Sequence, residues 1–141
     1  MRVVVDTNVI VNRFLSPSGV PAQLIAAWQQ QSIDIVVTES ILAESARALG
    51  YPAIKSRHGL MDNEIRAVIQ EFARFSIVVV AEATGDRPSL DPDDDKFLDC
   101  AVAGEAQFIV SGDRHLLELH EYRGVRIVRA AVLLALLRGD E

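Results

Sequence analysis

Short apolar runs alternate with helical segments along this chain, and that alternation restricts the fold more than any other feature. The runs are rich in valine and isoleucine, as in strands that are buried on both faces of a sheet. They are Arg2–Val5, Ile35–Val37, Ile77–Val80, Phe108–Val110 and Val125–Val128. Strands that alternate with helices predict an α/β fold in which helices cover both faces of a parallel sheet.

The segments between these runs have apolar residues at helical spacing or clear helix ends. We predict helices over Pro21–Gln31, from the cap Thr38 to about Leu49, over Asp62–Phe75, from about Pro92 to Glu105, over His115–Leu119 and over Ala130–Leu137, with a loop over Gly85–Pro92. No repeat, low-complexity tract or linker interrupts the pattern. Residues 1–141 are therefore predicted to form a single domain of common size.

Composition restricts the compartment and the class of partner. The only cysteine is Cys100, so an internal disulfide is impossible and a reducing compartment is expected. Met1–Val5 runs directly into Asp6, unlike a signal peptide, and the apolar run Ala130–Leu137 is too short to span a membrane. We therefore expect a soluble cytoplasmic protein. The formal net charge of −6 argues against a DNA-coating protein, but less against a nuclease whose pocket acids are offset by bound metal.

Carboxylates follow three of the predicted strands, at the edge where parallel α/β sheets bind ligands. Asp6 comes directly after the first strand, Glu44 lies in the helix after the second, and Asp113 follows the fourth. The third strand runs into Ala81 and Glu82 and is predicted to be a peripheral edge. These positions predict a crevice lined by acids beyond the carboxyl ends of the strands.

Each of these acids also has an ordinary structural explanation. Asp6 and Asp113 could cap the helices that follow them. Glu44 lies at the edge of a buried helix face, and only its company with the other acids singles it out. The alternative is a metal site, with Asn8 as a polar partner of Asp6 and Ser111 as a hydrogen-bonding partner of a metal-bound water.

A run of acids precedes the fourth strand and contains acids of two kinds. Asp91, Asp93 and Asp94 suit the cap and first turn of a helix, where negative charge favours the helix dipole, and need no further function. Asp95 and Asp99 lie four residues apart on one helix face, where like charges repel. A cation bound beside them explains this pair, and a solvated acidic face is the alternative.

Four motifs, taken together and in this order, resemble those of the PIN domain family. They are Asp6-Thr7-Asn8-Val9, the stretch Ile41–Glu44, the run Asp91–Asp99 and the stretch Ile109–Asp113. The resemblance covers nearly the whole chain and is closest to the PIN-family toxins of bacterial toxin–antitoxin systems. It implies a three-layer α/β/α fold with a central parallel sheet of strand order 3-2-1-4-5, Mg²⁺ or Mn²⁺ as cofactor, and cleavage of RNA.

The resemblance also implies particular residues and partners. The four acids of the family correspond to Asp6, Glu44, Asp95 and Asp113. Asp99 matches a position that is often acidic, and Ser111 matches a position that is usually serine or threonine. The toxins that this chain resembles usually pair, which implies a homodimer, and an antitoxin protein is the further partner.

Carboxylate ligands suit Mg²⁺, and the chain has no cysteine and histidine cluster of the kind that binds zinc. The histidines are scattered along the sequence and are expected at the surface: His58, His115 and His120. An RNA backbone would need positive contacts near the crevice, and the candidates are Arg13, Arg47, Lys96 and Arg114.

Two other functions fit a small α/β domain with acids. A receiver-type signalling domain would need an acidic pair after the first strand and an acceptor aspartate after the third. The chain has Asp6 alone and Ala81-Glu82-Ala83 at these places. A PIN scaffold that only binds a partner is the other alternative, and the near-complete set of acids argues against it.

Overall fold

The computed structural model of the protein describes residues 1–83 and 92–139. The strands in these ranges are β1 (Arg2–Val5), β2 (Asp34–Val37), β3 (Ile77–Val78), β4 (Phe108–Val110), β5 (Glu121–Tyr122) and β6 (Val125–Val128). The helices are α1 (Thr7–Leu15), α2 (Val20–Gln29), α3 (Glu39–Gly50), α4 (Pro52–His58), α5 (Asp62–Phe75), α6 (Asp95–Ala103), α7 (Arg114–Leu117) and α8 (Ala130–Leu137), and a 3₁₀ turn at Pro92–Asp94 precedes α6.

The strands form one sheet in the order β3-β2-β1-β4-β6-β5, in which every pair is parallel except β5 and β6. Because β6 is the fifth strand predicted from the sequence, the predicted order is confirmed, and β3 is an edge as expected. The additional strand β5 pairs with β6 and forms the other edge of the sheet. A two-residue turn connects these two strands. In that turn Arg123 and Gly124 have φ angles of 48° and 83°, as tight hairpin turns require.

Alternate residues of each strand pack against opposite helix layers, because successive side chains of a strand point to opposite faces. On one face, Val3 and Val5 of β1 share a buried core with Leu24 of α2 and Leu133 of α8. On the other face, Val4 shares a core with residues of α6 and α7. The predicted three-layer α/β/α fold is therefore confirmed.

The sequence pattern missed α4, because Gly50 and Pro52 predict only the end of the preceding helix. Pro52 is instead the first residue of α4, where a missing backbone N–H is no loss. His58 ends this helix and is not the surface residue that we expected. Its Nδ1 accepts a 2.9 Å hydrogen bond from the backbone of Leu60, and its Nε2 lies 2.8 Å from the carbonyl oxygen of Leu49.

The helix predicted from about Pro92 to Glu105 is divided into a 3₁₀ turn and the shorter α6. The end of α6 approaches the sheet closely, since a Cβ on Gly104 would lie 2.2 Å from Cγ1 of Val36. This contact fixes α6 against β2. Of the predicted loop Gly85–Pro92, the part up to residue 91 lies outside the described residues. Among the described residues, no helix has both the length and the apolar character needed to cross a membrane.

Candidate metal centre

Asp6 lies where β1 ends and α1 begins, at the carboxyl edge of the sheet. Its side chain is only 4% exposed. One carboxylate oxygen accepts a 3.1 Å hydrogen bond from the backbone N–H of Asn8 and so caps α1. The other oxygen accepts a 2.7 Å bond from the hydroxyl of Ser111. Asp6 is therefore both a helix cap and a buried acid at the predicted site.

Ser111 connects the acids that follow the neighbouring strands β1 and β4. Its buried hydroxyl donates to Asp6 and accepts a 2.9 Å hydrogen bond from the backbone N–H of Asp113. Asp113 is half-buried and caps α7, because its carboxylate accepts a 2.7 Å bond from the N–H of His115. The hydroxyl of Ser111 therefore links two of the predicted acids, and its expected bond to a metal-bound water stays a prediction.

Glu44 reaches the same edge from α3. The hydroxyl of Thr7 donates to one of its carboxylate oxygens, and the ammonium group of Lys96 contacts the other. Thr7 is buried and follows Asp6 directly, so its bond holds Glu44 beside Asp6. Sequence reasoning did not single out Thr7, because a hydroxyl next to an acid carries no signal of the distant residue that it will bond.

Burial and neighbouring charges raise the pKa of Asp6 above its ordinary value. The largest cause is the loss of water around the carboxylate, and the hydrogen bonds from Ser111 and from the backbone of Asn8 oppose it. The negative charges of Asp113 and Glu44 raise the pKa further. Three of the predicted acids therefore interact at one edge of the sheet, where a bound cation would offset their repulsion.

The acids of α6 approach the same edge from the helix layer. Asp95 is the first residue of α6 and is half-buried, with one carboxylate oxygen inaccessible to water. Asp99 is also half-buried and lines a cavity together with Lys96. Lys96, in the first turn of α6, contacts Glu44, which is one of the three interacting acids.

Asp94 is an acid that sequence reasoning assigned to the helix dipole alone. It is 6% exposed, and potential ligand atoms of Asp94, Asp113 and His115 all lie within 4.8 Å of one another. His115 is half-buried, not at the surface as we expected. Asp94 was missed because the run Asp91–Asp99 was interpreted as the start of one continuous α-helix, and His115 was missed because the histidines are scattered along the sequence. A 3₁₀ turn has three residues per turn, so it directs the side chains of this segment differently.

The basic candidates occupy different positions relative to the acids. Lys96 is engaged with Glu44, and Arg114 follows Asp113 directly, is exposed and forms a 3.6 Å ion pair with Glu118. The other two lie in the last turns of their helices, Arg13 in α1 and Arg47 in α3. We call the acids Asp6, Glu44, Asp95, Asp99 and Asp113, together with Asp94, the acidic cluster.

The strand order reverses between β1 and β4, and Asp6, Ser111 and Asp113 lie at that point, as ligand sites do in doubly wound α/β domains. Residues 2–115 match the model of the family described as PIN domain. The chain therefore belongs to the PIN domain family, whose members are generally nucleases. It is also similar to the uncharacterized protein MJ1680 of Methanocaldococcus jannaschii, with 27% identity over 121 residues, which are 86% of this chain and 76% of that protein. The family identified from the motifs is confirmed.

Proposed function

We propose that the protein is a metal-dependent endoribonuclease that hydrolyses phosphodiester bonds of RNA. The observation that carries the proposal is the interaction of Asp6, Glu44 and Asp113 at the sheet edge of a PIN domain. Asp95 is the fourth proposed metal ligand, as the family motif implies, and Asp99 supports it from the next turn of α6.

The donor set fits Mg²⁺ or Mn²⁺. Carboxylate oxygens are the hard ligands that both ions accept, and the imidazole of His115 beside Asp113 favours Mn²⁺ further. Burial is the main cause of the raised pKa of Asp6, and the charges of Asp113 and Glu44 add repulsion that a divalent cation would offset. A cation held by the acidic cluster is thus consistent with both its chemistry and its electrostatics.

When bound, the cation supplies an activated water and offsets negative charge on the phosphate. The residues of the chain supply orientation. Ser111 and the N–H of Asn8 hold the carboxylate of Asp6, and Thr7 holds Glu44, so both acids are positioned before RNA binds. No side-chain nucleophile is needed.

Basic residues would hold the RNA backbone. Lys96 and Arg114 are adjacent to acids of the cluster and are proposed to contact the phosphates nearest the reaction. Arg13 and Arg47, in the last turns of α1 and α3, are proposed as more distant phosphate contacts. Such contacts add affinity without sequence preference.

We also propose that the nuclease is the toxin of a toxin–antitoxin pair, a homodimer, and cytoplasmic. The resemblance of its motifs supports the first two proposals, and the single buried thiol of Cys100 suits a reducing compartment. A short basic DNA-binding protein encoded next to this chain would support the toxin role. Light scattering is expected to give the mass of a dimer, and a monomer mass at micromolar concentration contradicts the homodimer.

RNA cleavage by the purified protein tests the main proposal. We expect cleavage with Mg²⁺ or Mn²⁺ that excess chelator abolishes and that Asp6→Asn lacks. Asp34→Asn is the control, because Asp34 is an exposed aspartate where β2 begins, at the amino ends of the strands and away from the acids. Undiminished cleavage in chelator would exclude the metal mechanism. Failure to cut any RNA favours the non-catalytic scaffold, and transfer of radiolabelled phosphate to the protein favours the receiver-like function.

A further inference from the structure

A cavity of about 340 Å³ lies at the same edge of the sheet as the acidic cluster, on the side of β2 and β3. Three segments line it: the start of α3, the chain that follows β3, and one face of α6. The lining residues are Thr38, Glu39, Ser40, Val78–Ala81, Lys96 and Asp99. We call this the β2–β3 cavity.

Lys96 joins this cavity to the acidic cluster. Its side chain lines the cavity, and its ammonium group contacts Glu44. Glu44 in turn accepts a hydrogen bond from Thr7, which follows Asp6. A phosphate bound at the acidic cluster would therefore have its neighbouring nucleotide beside the β2–β3 cavity.

The lining suits a flat ring with polar edges better than it suits a phosphate. Val80 is 92% exposed and Val78 is 46% exposed, so part of the wall presents apolar surface to solvent. Lys96, a cation of the lining, is paired with Glu44. The carboxylate of Glu39 would repel a phosphate, but it accepts hydrogen bonds from the exocyclic amino groups of nucleobases. Single-stranded RNA offers unstacked bases whose faces and edges are both accessible.

We propose that the β2–β3 cavity binds the base of the nucleotide next to the scissile phosphate and prefers bases that carry an amino group. Uracil has a carbonyl oxygen where cytosine has its amino group, and a carboxylate repels that oxygen. The position relative to the scissile phosphate rests on the proposed nuclease function. The base site itself rests on the lining of the cavity.

Binding of short fluorescent RNA strands tests the site. The measurements use the Asp6→Asn protein with Mg²⁺, so that RNA is not cut during the titration. We expect oligo(A) and oligo(C) to bind about tenfold more tightly than oligo(U), since a matched hydrogen-bonding pair discriminates between bases by about this factor. Glu39→Gln, at an exposed position, is expected to reduce this preference.

A pair of valine variants tests whether the cavity wall contacts RNA. Val80→Asp adds a negative charge to the wall and is expected to weaken binding of all three strands by about tenfold. Val132→Asp is the matched control, because Val132 is 44% exposed and lies on α8, away from the cavity. Equal affinities of the two variants would overturn the proposal, as would equal binding of all three strands.

Cleavage by the same variants separates this proposal from the proposed function. If the wild type cuts RNA and Val80→Asp cuts it at the same rate and with the same base preference, the base site is wrong and the nuclease stands. If the wild type cuts no RNA but binding still depends on Val80 and Glu39, the nuclease is wrong and the base site stands.

Discussion

Asp6 has two roles whose effects on stability are opposite in sign. As the cap of α1 it satisfies a backbone N–H, which typically contributes about 1 kcal/mol. As a buried acid near Asp113 and Glu44 it is destabilised when ionised, which is why its pKa is raised. A carboxamide keeps the capping oxygen and removes the charge, so Asp6→Asn separates the two roles.

We expect Asp6→Asn to abolish metal-dependent cleavage and to raise the melting temperature of the metal-free protein at neutral pH. A carboxyl whose pKa is raised on folding contributes stability below its unfolded pKa of about 3.9, and that contribution is lost as the pH rises through the folded pKa. The gain from asparagine should therefore shrink as the pH is lowered toward 4. Melting curves of both proteins in chelator, between acidic and neutral pH, measure this difference in melting temperature.

Asp62 provides a control of opposite sign. Its hydrogen bond with Lys55 holds the pKa of its carboxyl below the ordinary value. A lowered pKa contributes stability above the unfolded pKa, and the contribution is lost as the pH falls. Asp62→Asn should thus lower the melting temperature slightly at neutral pH, since an exposed ion pair contributes little to stability. If Asp6→Asn also lowers it and still cuts RNA, Asp6 is only a cap.

Lys96 is paired with Glu44, an acid whose carboxylate is proposed to bind metal. Because its ammonium group contacts Glu44, a cation that binds Glu44 must displace it. We expect Lys96→Met to tighten Mn²⁺ binding by about twofold to fivefold, since a partly exposed ion pair contributes up to about 1 kcal/mol. Calorimetric titration with Mn²⁺ measures the affinity without any RNA.

Lys55→Met is the matched control for Lys96→Met. It removes the same kind of ion pair, between Lys55 and Asp62, at a site remote from the acidic cluster. Its affinity for Mn²⁺ should equal that of the wild type. Unchanged or weaker binding in Lys96→Met would show that the lysine supports the metal site instead of competing for it.

At the scale of elements, the start of α6 decides which acids face the cluster. The sequence predicts a helix beginning near Pro92, and this register places Asp95 and Asp99 on one face. The structure keeps that pair within α6 but begins with a 3₁₀ turn, in which Asp94 is buried beside Asp113 and Asp93 is exposed. Two adjacent acids of one run are therefore expected to behave differently.

We expect Asp94→Asn to weaken Mn²⁺ binding, because potential ligand atoms of Asp94 and Asp113 lie within 4.8 Å of each other. Asp93→Asn should bind Mn²⁺ as the wild type does, since its side chain is exposed. Asp99→Asn should weaken binding or cleavage through its place beside Asp95. Mn²⁺ titration of all three variants measures this. Equal losses for Asp93→Asn and Asp94→Asn would show that only the overall charge of the run matters.

The elements that the sequence predicts correctly are those with a clear pattern. β1, β2, β4 and β6 are apolar runs, and their order follows from the family motifs. By contrast, β5 has two residues, too few for any alternation, and depends on pairing with β6. The helix α4 follows directly from α3, and Pro52 can either end one helix or begin the next.

In the site, too, the sequence identifies the residues whose place follows from the strand pattern and misses those placed by packing. Asp6 and Asp113 are identified because they follow strands that a parallel sheet brings together. The bond from Thr7 to Glu44 joins residues 37 positions apart, and the nearness of Asp94 to Asp113 depends on the turn before α6. Contacts of this kind arise from packing, and they have no signal in the local sequence.

At the scale of the whole molecule, α6 carries residues of both the acidic cluster and the core on its side of the sheet. Cys100 of α6 is fully buried in that core, with its sulfur 3.7 Å from the carbonyl oxygen of Val36. Burial raises the pKa of its thiol to about 12. Because only the thiolate reacts readily, the native protein should resist thiol reagents until α6 separates from the sheet.

The rate of Cys100 labelling should therefore report how metal binding stabilises the fold. A cation that binds only the folded chain lowers the open population by the factor 1 + [metal]/Kd. We expect Mn²⁺ to slow labelling at pH 8 in the wild type and to have much less effect in Asp6→Asn. Labelling of the denatured chain should be fast and independent of Mn²⁺, which controls for the reagent. If Mn²⁺ leaves the native labelling rate unchanged while calorimetry shows that it binds, Cys100 becomes exposed by a local opening that keeps the acidic cluster intact, and α6 does not couple the two.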